Sequence, residues 1–259
     1  MPEPELAFPS FRLDGRAALI TGASRGIGRA LALGLAQAGA RVALAARSLN
    51  ALETVAKEAR ALRREAVVIE LDVRDTPRIA TAIRTARDKL GGLDILVNNA
   101  GMEQVADSLE VSEALWDAIQ ATNLKSAFFM SQAAARLMQG EGGAILNVCS
   151  LTSAVGVPTA VPYTASKSGL LGMTRALAAE WAGRGIRVNA IGPGYFRTAL
   201  TEVFYEDRAW QEAMLAKIPL RRFGRLDDLI GAAVFLCSDA AAYITGQILY
   251  IDGGYLASI

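Results

Sequence analysis

Histidine is absent from this chain of 259 residues, and cysteine occurs only twice, at Cys149 and Cys237. Without histidine, neither a Ser-His-Asp triad nor a Cys-His pair can be built, and the H-E-x-x-H zinc motif is excluded. Two cysteines are too few for a disulfide framework or a cysteine-rich metal site, so we expect both to be buried apolar fillers and no metal to be bound. If the chain is an enzyme that uses acid–base catalysis, a side chain other than histidine must transfer the proton.

The chain also lacks an excess of either charge, a leader segment and a long apolar run. Its 27 basic and 26 acidic residues leave a formal net charge of +1, so no strong field attracts nucleic acid or an anionic membrane. The start, MPEPELAFPS, has neither the basic region nor the apolar core of a signal peptide. No apolar run reaches the ~18 residues of a membrane-spanning helix. These absences predict a cytoplasmic protein with no nucleic-acid or membrane partner.

Short β-branched apolar runs alternate with longer segments of helical periodicity along the whole sequence. The runs show little strict alternation, which is typical of parallel strands buried on both faces. Helical segments such as 28–39 and 49–65 lie between them. The predicted strands span 16–22, 41–47, 66–73, 93–101, 143–150, 186–194 and 247–254. With no linker or repeat, the pattern predicts a single domain over 1–259 of the α/β class, a doubly wound parallel sheet of about seven strands.

The stretch TGASRGIGRA, residues 21–30, carries three glycines at uneven spacing. It follows a predicted strand and opens a predicted helix. A glycine turn in that place lets the backbone approach a pyrophosphate, and the helix N-terminus supplies free N–H groups. An ordinary tight turn between a strand and a helix fits the same glycines, so the loop alone leaves both alternatives open.

Five short motifs, in order along the chain, resemble those of the short-chain dehydrogenase/reductase family. They are T-G-x-x-x-G-I-G at 21–28, NNAG at 98–101, YTASK at 163–167, PG at 193–194 and IDGG at 251–254. Each motif is weak alone, whereas the ordered set is specific and covers almost the whole chain. The resemblance implies a Rossmann fold, a nicotinamide cofactor, and hydride transfer between that cofactor and a carbonyl or secondary alcohol.

Tyr163 and Lys167 lie four residues apart in a segment with helical periodicity, which places them on one helix face. A free tyrosine has a pKa of about 10, and a nearby ammonium is expected to lower that pKa, so the pair can replace a histidine. A core tyrosine beside a surface lysine is the alternative. By resemblance, Ser150 donates to the substrate carbonyl, and Asn123 holds a water in the proton relay. An asparagine bonded to its own helix also fits that position.

The end of the second predicted strand lacks the acid that usually bonds the ribose 2′-hydroxyl of NAD. Ala46 stands there, followed by Arg47, and Arg25 lies within the glycine loop. Arginine suits bidentate contact with a 2′-phosphate, so NADP(H) is preferred and NAD(H) is the alternative, unless both arginines are merely solvated. The expected cofactor contacts are Gly22, Ser24, Arg25, Gly26, Ile27, Gly28, Arg47, Asp72, Val73, Asn98, Asn99, Ala100, Gly101, Tyr163, Lys167, Pro193, Gly194, Phe196 and Thr198.

Residues 195–225 separate the sixth predicted strand from the last predicted helix and mix aromatic with basic side chains. The segment is too long for a plain loop, and we expect it to form a substrate lid, unless its aromatics only pack on the core. NVCSLTS at 147–153 and IGPGYF at 191–196 resemble gluconate 5-dehydrogenase-type members of the family, which implies a small sugar acid or polyol as substrate. A 3-oxoacyl thioester reductase and a non-catalytic dinucleotide sensor are the alternatives. The family usually forms homotetramers, and the apolar C-terminus fits one.

Overall fold

One parallel sheet of seven strands organises the computed structural model, which describes residues 7–198 and 205–259. The strand order is β3-β2-β1-β4-β5-β6-β7, and it confirms the predicted doubly wound α/β fold. The strands are β1 (Ala17–Thr21), β2 (Arg41–Ala46), β3 (Ala66–Glu70), β4 (Ile95–Asn98), β5 (Gly143–Val148), β6 (Ile186–Pro193) and β7 (Ile248–Ile251). The helices in the described ranges are α1 (Gly26–Ala38), α2 (Leu49–Ala61), α3 (Thr76–Leu90), α4 (Glu113–Gln120), α5 (Ser126–Met138), α6 (Val161–Trp181), α7 (Arg208–Lys217) and α8 (Ile230–Cys237).

Two apolar layers cover the two faces of the sheet. On one face, Leu31 of α1, Leu52 of α2 and Leu236 of α8 belong to a single buried cluster. On the other face, Ile83 of α3 and Met130 of α5 pack into a second cluster that also contains part of α6. Every residue of β1 and β4 is buried, as expected for central parallel strands with helices on both sides.

The strand and helix ends differ from the sequence prediction, and each difference has a local cause. The predicted strand 93–101 ends at Asn98, because Asn99 and Ala100 leave the sheet and donate their main-chain N–H groups to Thr21 Oγ1, each over 3.0 Å. The helix predicted over 49–65 ends at Ala61, and Arg63 follows with a φ of 58°. The prediction that every strand is buried is wrong for β7, where Leu249 is 43% exposed, since β7 lies at the edge of the sheet.

The sheet order reverses between β1 and β4. At such a switch point, the loops after the two strands diverge and leave a crevice at the carboxyl edge of the sheet, where ligands bind in open α/β folds. Across 7–198 and 205–259, no helix is long and apolar enough to cross a membrane. In the same ranges, no group of three or more His, Cys, Asp and Glu side chains is arranged to hold a metal ion.

Candidate active site

A cavity of about 730 Å³ opens at the carboxyl edge of the sheet. This volume lies within the range of ~300–1,000 Å³ that is usual for ligand sites. With one exception, every residue expected to contact the cofactor lines it, from the glycine loop to Thr198. The exception is Asn98, which is buried in the core, where its Nδ2 donates to Ser131 and Asn147 over 2.9 Å each. The structure therefore gathers six separate stretches of sequence into one site, namely 22–28, 47, 72–73, 99–101, 163–167 and 193–198.

The glycine loop forms one wall of the cavity and has no room for a side chain at Gly22 or Gly28. Gly22 and Gly26 have φ angles of 64° and 56°, in the left-handed region that favours glycine. A Cβ on Gly28 would lie 2.2 Å from the carbonyl oxygen of Gly22 and 2.4 Å from Asn99 Nδ2. The loop is thus pressed between the start of α1 and the exit of β4. A backbone surface free of side chains beside a helix N-terminus fits a pyrophosphate.

Three arginines, Arg25, Arg47 and Arg74, line the end of the cavity formed by the loops after β1, β2 and β3. Arg74 was not among the predicted contacts, although it directly follows the LDV stretch. It forms an ion pair with Asp72 at 2.6 Å. This partner, more than Arg47, lowers the pKa of the Asp72 carboxyl to about 2. At the end of β2 the lining contains Ala46 rather than an acid. With three arginines and one carboxylate, this end of the cavity is positively charged and favours an anion.

Ser150, Tyr163 and Lys167 meet at the other end of the cavity. Ser150 directly precedes a short helical turn and accepts a hydrogen bond from the N–H of Thr152 over 3.2 Å. Tyr163 and Lys167 lie on the first turns of α6 and share a face, as predicted. Lys167 Nζ lies 5.6 Å from the centre of the Tyr163 ring and donates to the carbonyl of Val148 over 2.7 Å. The strand β5 therefore holds both the serine and the lysine in place.

The pKa of Tyr163 is not lowered by Lys167, contrary to the expectation from their spacing. Burial raises the pKa of Tyr163 above its usual range, and the Glu103 carboxylate acts in the same direction, while Ser150 lowers it. Burial likewise lowers the pKa of Lys167. The physical reason is that both groups lose hydration together, and the lysine bonds a main-chain carbonyl rather than the phenol.

Asn123 lies in a π-helical turn, Ala121–Lys125, that joins α4 to α5. Its side chain does not bond its own helix. Oδ1 accepts from the N–H of Met102 over 2.8 Å, and Nδ2 donates to the Met102 carbonyl and to Ser166 Oγ over 2.9 and 3.0 Å. Asn123 thus ties the loop after β4 to α6. The water-holding role implied by the resemblance stays a prediction.

Glu103 lines the cavity at the catalytic end and was missed by the sequence analysis. It follows the NNAG motif by two residues, which is the only signal that the sequence offers. Burial raises the pKa of the Glu103 carboxyl, and Lys167 opposes that shift. The two cysteines are buried and free, and burial raises their thiol pKa values, to about 11 for Cys149 and about 12 for Cys237. Neither thiol is activated.

The segment 195–225 contains α7 and a group of packed aromatic rings. Trp210 stacks on Phe223 with ring centres 6.1 Å apart, and Tyr205 meets Phe223 edge-on at 4.8 Å. Tyr195 contacts Trp210 edge-on, with ring centres 5.7 Å apart. The predicted lid also includes 199–204, which lie outside the described residues. Within the rest of the segment, the aromatic contacts hold α7 next to the chain that leaves β6.

Comparison with known proteins places this site among dinucleotide-dependent oxidoreductases. The family model described as enoyl-(acyl carrier protein) reductase matches residues 22–256. Gluconate 5-dehydrogenase of Gluconobacter oxydans is 38% identical over 260 residues, with 100% of both chains covered. The crystal structure of a candidate short-chain alcohol dehydrogenase from Sinorhizobium meliloti 1021 is 62% identical, with a TM-score of 0.95 over 97% of this chain and 100% of that one. A gluconate 5-dehydrogenase from Burkholderia cenocepacia J2315, in complex with NADP and tartrate, is 39% identical, with a TM-score of 0.93 over 96% and 98%.

Proposed function

Since this chain belongs to the short-chain dehydrogenase/reductase family, we propose that it is an NADP(H)-dependent oxidoreductase that interconverts a secondary alcohol and a ketone on a small sugar acid or polyol. The observation that carries this proposal is the convergence of Ser150, Tyr163 and Lys167 at one end of a cavity whose other end is lined by arginines. A non-catalytic dinucleotide sensor would have no need of that convergence.

The arginine end of the cavity supports NADP(H) as the cofactor. Arg25 and Arg47 are exposed, and the described part of the chain offers neither of them a salt-bridge partner, so both are available to a 2′-phosphate. Ala46 offers no carboxylate to repel that phosphate. The relative from Burkholderia cenocepacia holds NADP in its crystal structure. When bound, the nicotinamide supplies the hydride or accepts it.

At the catalytic end, Tyr163 is the group that gives or takes the hydroxyl proton. The phenol is protonated at neutral pH, because burial raises its pKa, so Tyr163 holds a proton that it can give to the substrate oxygen in ketone reduction. Ser150 lies beside it in the cavity wall and donates its hydroxyl hydrogen to the substrate oxygen. Lys167 is buried and fixed by the Val148 carbonyl. Together these residues orient a carbonyl against one proton donor, in a part of the site that burial keeps poor in water.

The substrate class rests on two observations. The named relatives from Gluconobacter oxydans and Burkholderia cenocepacia are gluconate 5-dehydrogenases. The catalytic end of the cavity presents hydroxyl, phenol and carboxylate groups from Ser150, Tyr163 and Glu103, which suit a polyhydroxy compound. The description of the matching family model favours an acyl thioester as the second candidate. It lacks support from the cavity, because Glu103 places an acid where an acyl chain would need apolar contact.

We also propose a domain organisation, a cellular location and an oligomeric state for the protein. The described residues of the segment 195–225 cover the substrate, and the single sheet with its helices works as one cofactor-binding and catalytic domain over 1–259. Free buried cysteines fit the cytoplasm. A homotetramer would cover the edge strand β7, where Leu249 is 43% exposed, and the tail, where Ile259 is 65% exposed. Light scattering at micromolar concentration tests this assembly, and a mass near 27 kDa alone would contradict it.

The deciding experiment is a turnover screen with purified protein. NADP⁺ and NADPH are offered with sugar acids, polyols and their keto forms, with 3-oxoacyl thioesters included as the competing class. We expect turnover of polyhydroxy compounds to exceed that of thioesters. Turnover of thioesters alone would move the function to the second candidate. No turnover of any carbonyl or alcohol, with NADPH still bound, would point to the sensor.

A further inference from the structure

Among the described residues, two acidic side chains line the cavity, Asp72 and Glu103, and their surroundings differ. Asp72 is neutralised by its ion pair with Arg74. The hydrogen bonds and ion pairs of residues 7–198 and 205–259 include none with the Glu103 carboxylate, which is half-buried. An acid held partly away from water without a partner costs free energy, and a ligand that donates hydrogen bonds to it removes that cost.

The position of Glu103 is fixed by the main chain next to it. Both the N–H and the carbonyl of Met102 are bonded to the amide of Asn123. Gly101 comes so close to the catalytic lysine that a Cβ placed on it would lie 3.7 Å from Lys167 Nζ. The main chain is therefore fixed just before Glu103. Glu103 lines the cavity, whereas the next two residues, Gln104 and Val105, are exposed.

The charges along the cavity determine which substrate groups can bind next to the Glu103 carboxylate. The arginines lie at the end formed by the loops after β1, β2 and β3, whereas the charged groups among the described residues that line the catalytic end are Lys167 and Glu103. Lys167 already donates to Val148. A substrate carboxylate near Glu103 would meet a like charge, which costs affinity and fixes orientation. Hydroxyl groups would instead form charge-assisted hydrogen bonds with it.

We propose that Glu103 is a specificity-determining residue that accepts hydrogen bonds from substrate hydroxyls and keeps a substrate carboxylate away from that side of Tyr163. This inference rests on the proposed function and narrows it. A sugar acid must enter with its carboxylate directed away from the loop after β4. A neutral polyol of the same length has no such restriction.

The test compares D-gluconate with D-glucitol, which carries a hydroxymethyl group in place of the carboxylate. Oxidation by NADP⁺ is measured for the wild type, Glu103→Gln and Glu103→Asp. The amide removes the negative charge and keeps one acceptor, so we expect the ratio of kcat/KM for gluconate over glucitol to rise about tenfold. Glu103→Asp keeps the charge and should leave the ratio within about twofold of wild type.

Glu110→Gln is the matched control, because Glu110 is an exposed acid of the same loop that does not line the cavity. It makes the same change in net charge and should not move the ratio. NADP⁺ affinity should be the same in all the variants, since the arginine end is untouched. A second measurement uses the wild type alone: because burial raises the pKa of the Glu103 carboxyl, the ratio should rise as the pH is lowered from 8 and protonation removes that charge. The charged or titratable groups that face it are Lys167 and Tyr163, both on α6.

The outcomes separate this inference from the proposed function. A wild type that oxidises no polyhydroxy compound overturns the proposed function and this inference with it. A wild type that is active, with an unchanged or lower ratio in Glu103→Gln, overturns this inference alone. A ratio that is flat with pH in the wild type does the same, even if Glu103→Gln fails to fold. Equal losses for both substrates, together with weaker NADP⁺ binding, would show a purely structural role and also refute it.

Discussion

Replacing Gly28 by alanine should damage both the stability of the fold and the binding of NADPH. The new Cβ would lie 2.2 Å from the Gly22 carbonyl oxygen and 2.4 Å from Asn99 Nδ2. To restore ordinary van der Waals contact, the loop and α1 must separate by more than about 1 Å. Overpacking of this kind costs typically ~1–3 kcal/mol, and we expect the upper end because the obstacle includes backbone.

The assay has two readouts. Each kcal/mol lowers Tm by about 2–4 °C in a domain of this size, so the midpoint of thermal unfolding should fall by about 6–12 °C. The loop moves away from the pyrophosphate at the same time, and NADPH affinity, followed by fluorescence titration, should weaken at least about tenfold, or ~1.4 kcal/mol.

Gly231→Ala is the control for this prediction. Gly231 lies on α8, is exposed, and has open space where a Cβ would go. Alanine is favoured over glycine within helices by ~0.5–1 kcal/mol, so Tm should stay the same or rise. If Gly28→Ala unfolds within about 2 °C of wild type and binds NADPH equally well, the close approach described for the loop is wrong.

Three further predictions address the chemistry. Tyr163→Phe should bind NADPH normally and lose at least about a hundredfold in turnover; activity above about a tenth of wild type would contradict the proton role. The wild type should favour NADPH over NADH by about 10- to 100-fold in kcat/KM, since a charge-assisted contact contributes ~1.5–3 kcal/mol. Ala46→Asp with Arg47→Ala should reverse that preference, and its persistence would show that the arginine lies away from the phosphate. Oxidation of the alcohol needs ionised Tyr163, whose pKa is raised, so kcat/KM for oxidation should increase with pH from 7 to 9; a decrease would refute this assignment.

The sequence predicted the order of the elements well, because that order follows from local patterns. Apolar runs without alternation mark buried parallel strands, and glycines at fixed spacing mark the place where the backbone must approach a ligand. The ordered motifs contain Tyr163 and Lys167, the family resemblance adds Ser150, and the structure brings these three residues together in one cavity.

The features that sequence reasoning missed depend on packing between distant segments. Nothing in the local pattern indicates that Asn99 and Ala100 leave the sheet to bond Thr21. No local motif marks the π-helical turn that brings the Asn123 side chain to Met102. The pKa of Tyr163 depends on how much water the folded chain removes, and this desolvation outweighs a charged neighbour inferred from spacing. Glu103 belongs to the site because the residue before it, Met102, is bonded to Asn123, which lies 21 residues away in the sequence.

The order of strands in the sheet keeps the residues that select the cofactor apart from the residues that contact the substrate. Arg47 follows β2 and Ser150 follows β5, and β1 and β4 lie between those strands. At about 4.8 Å per strand, roughly 14 Å divides the residues that choose a phosphate from those that face the alcohol. Substitutions that far apart, with no shared partner, usually change free energy additively. Cofactor preference and substrate preference should therefore be adjustable one at a time, and a variant that combines changes at both ends should show the product of the two separate effects.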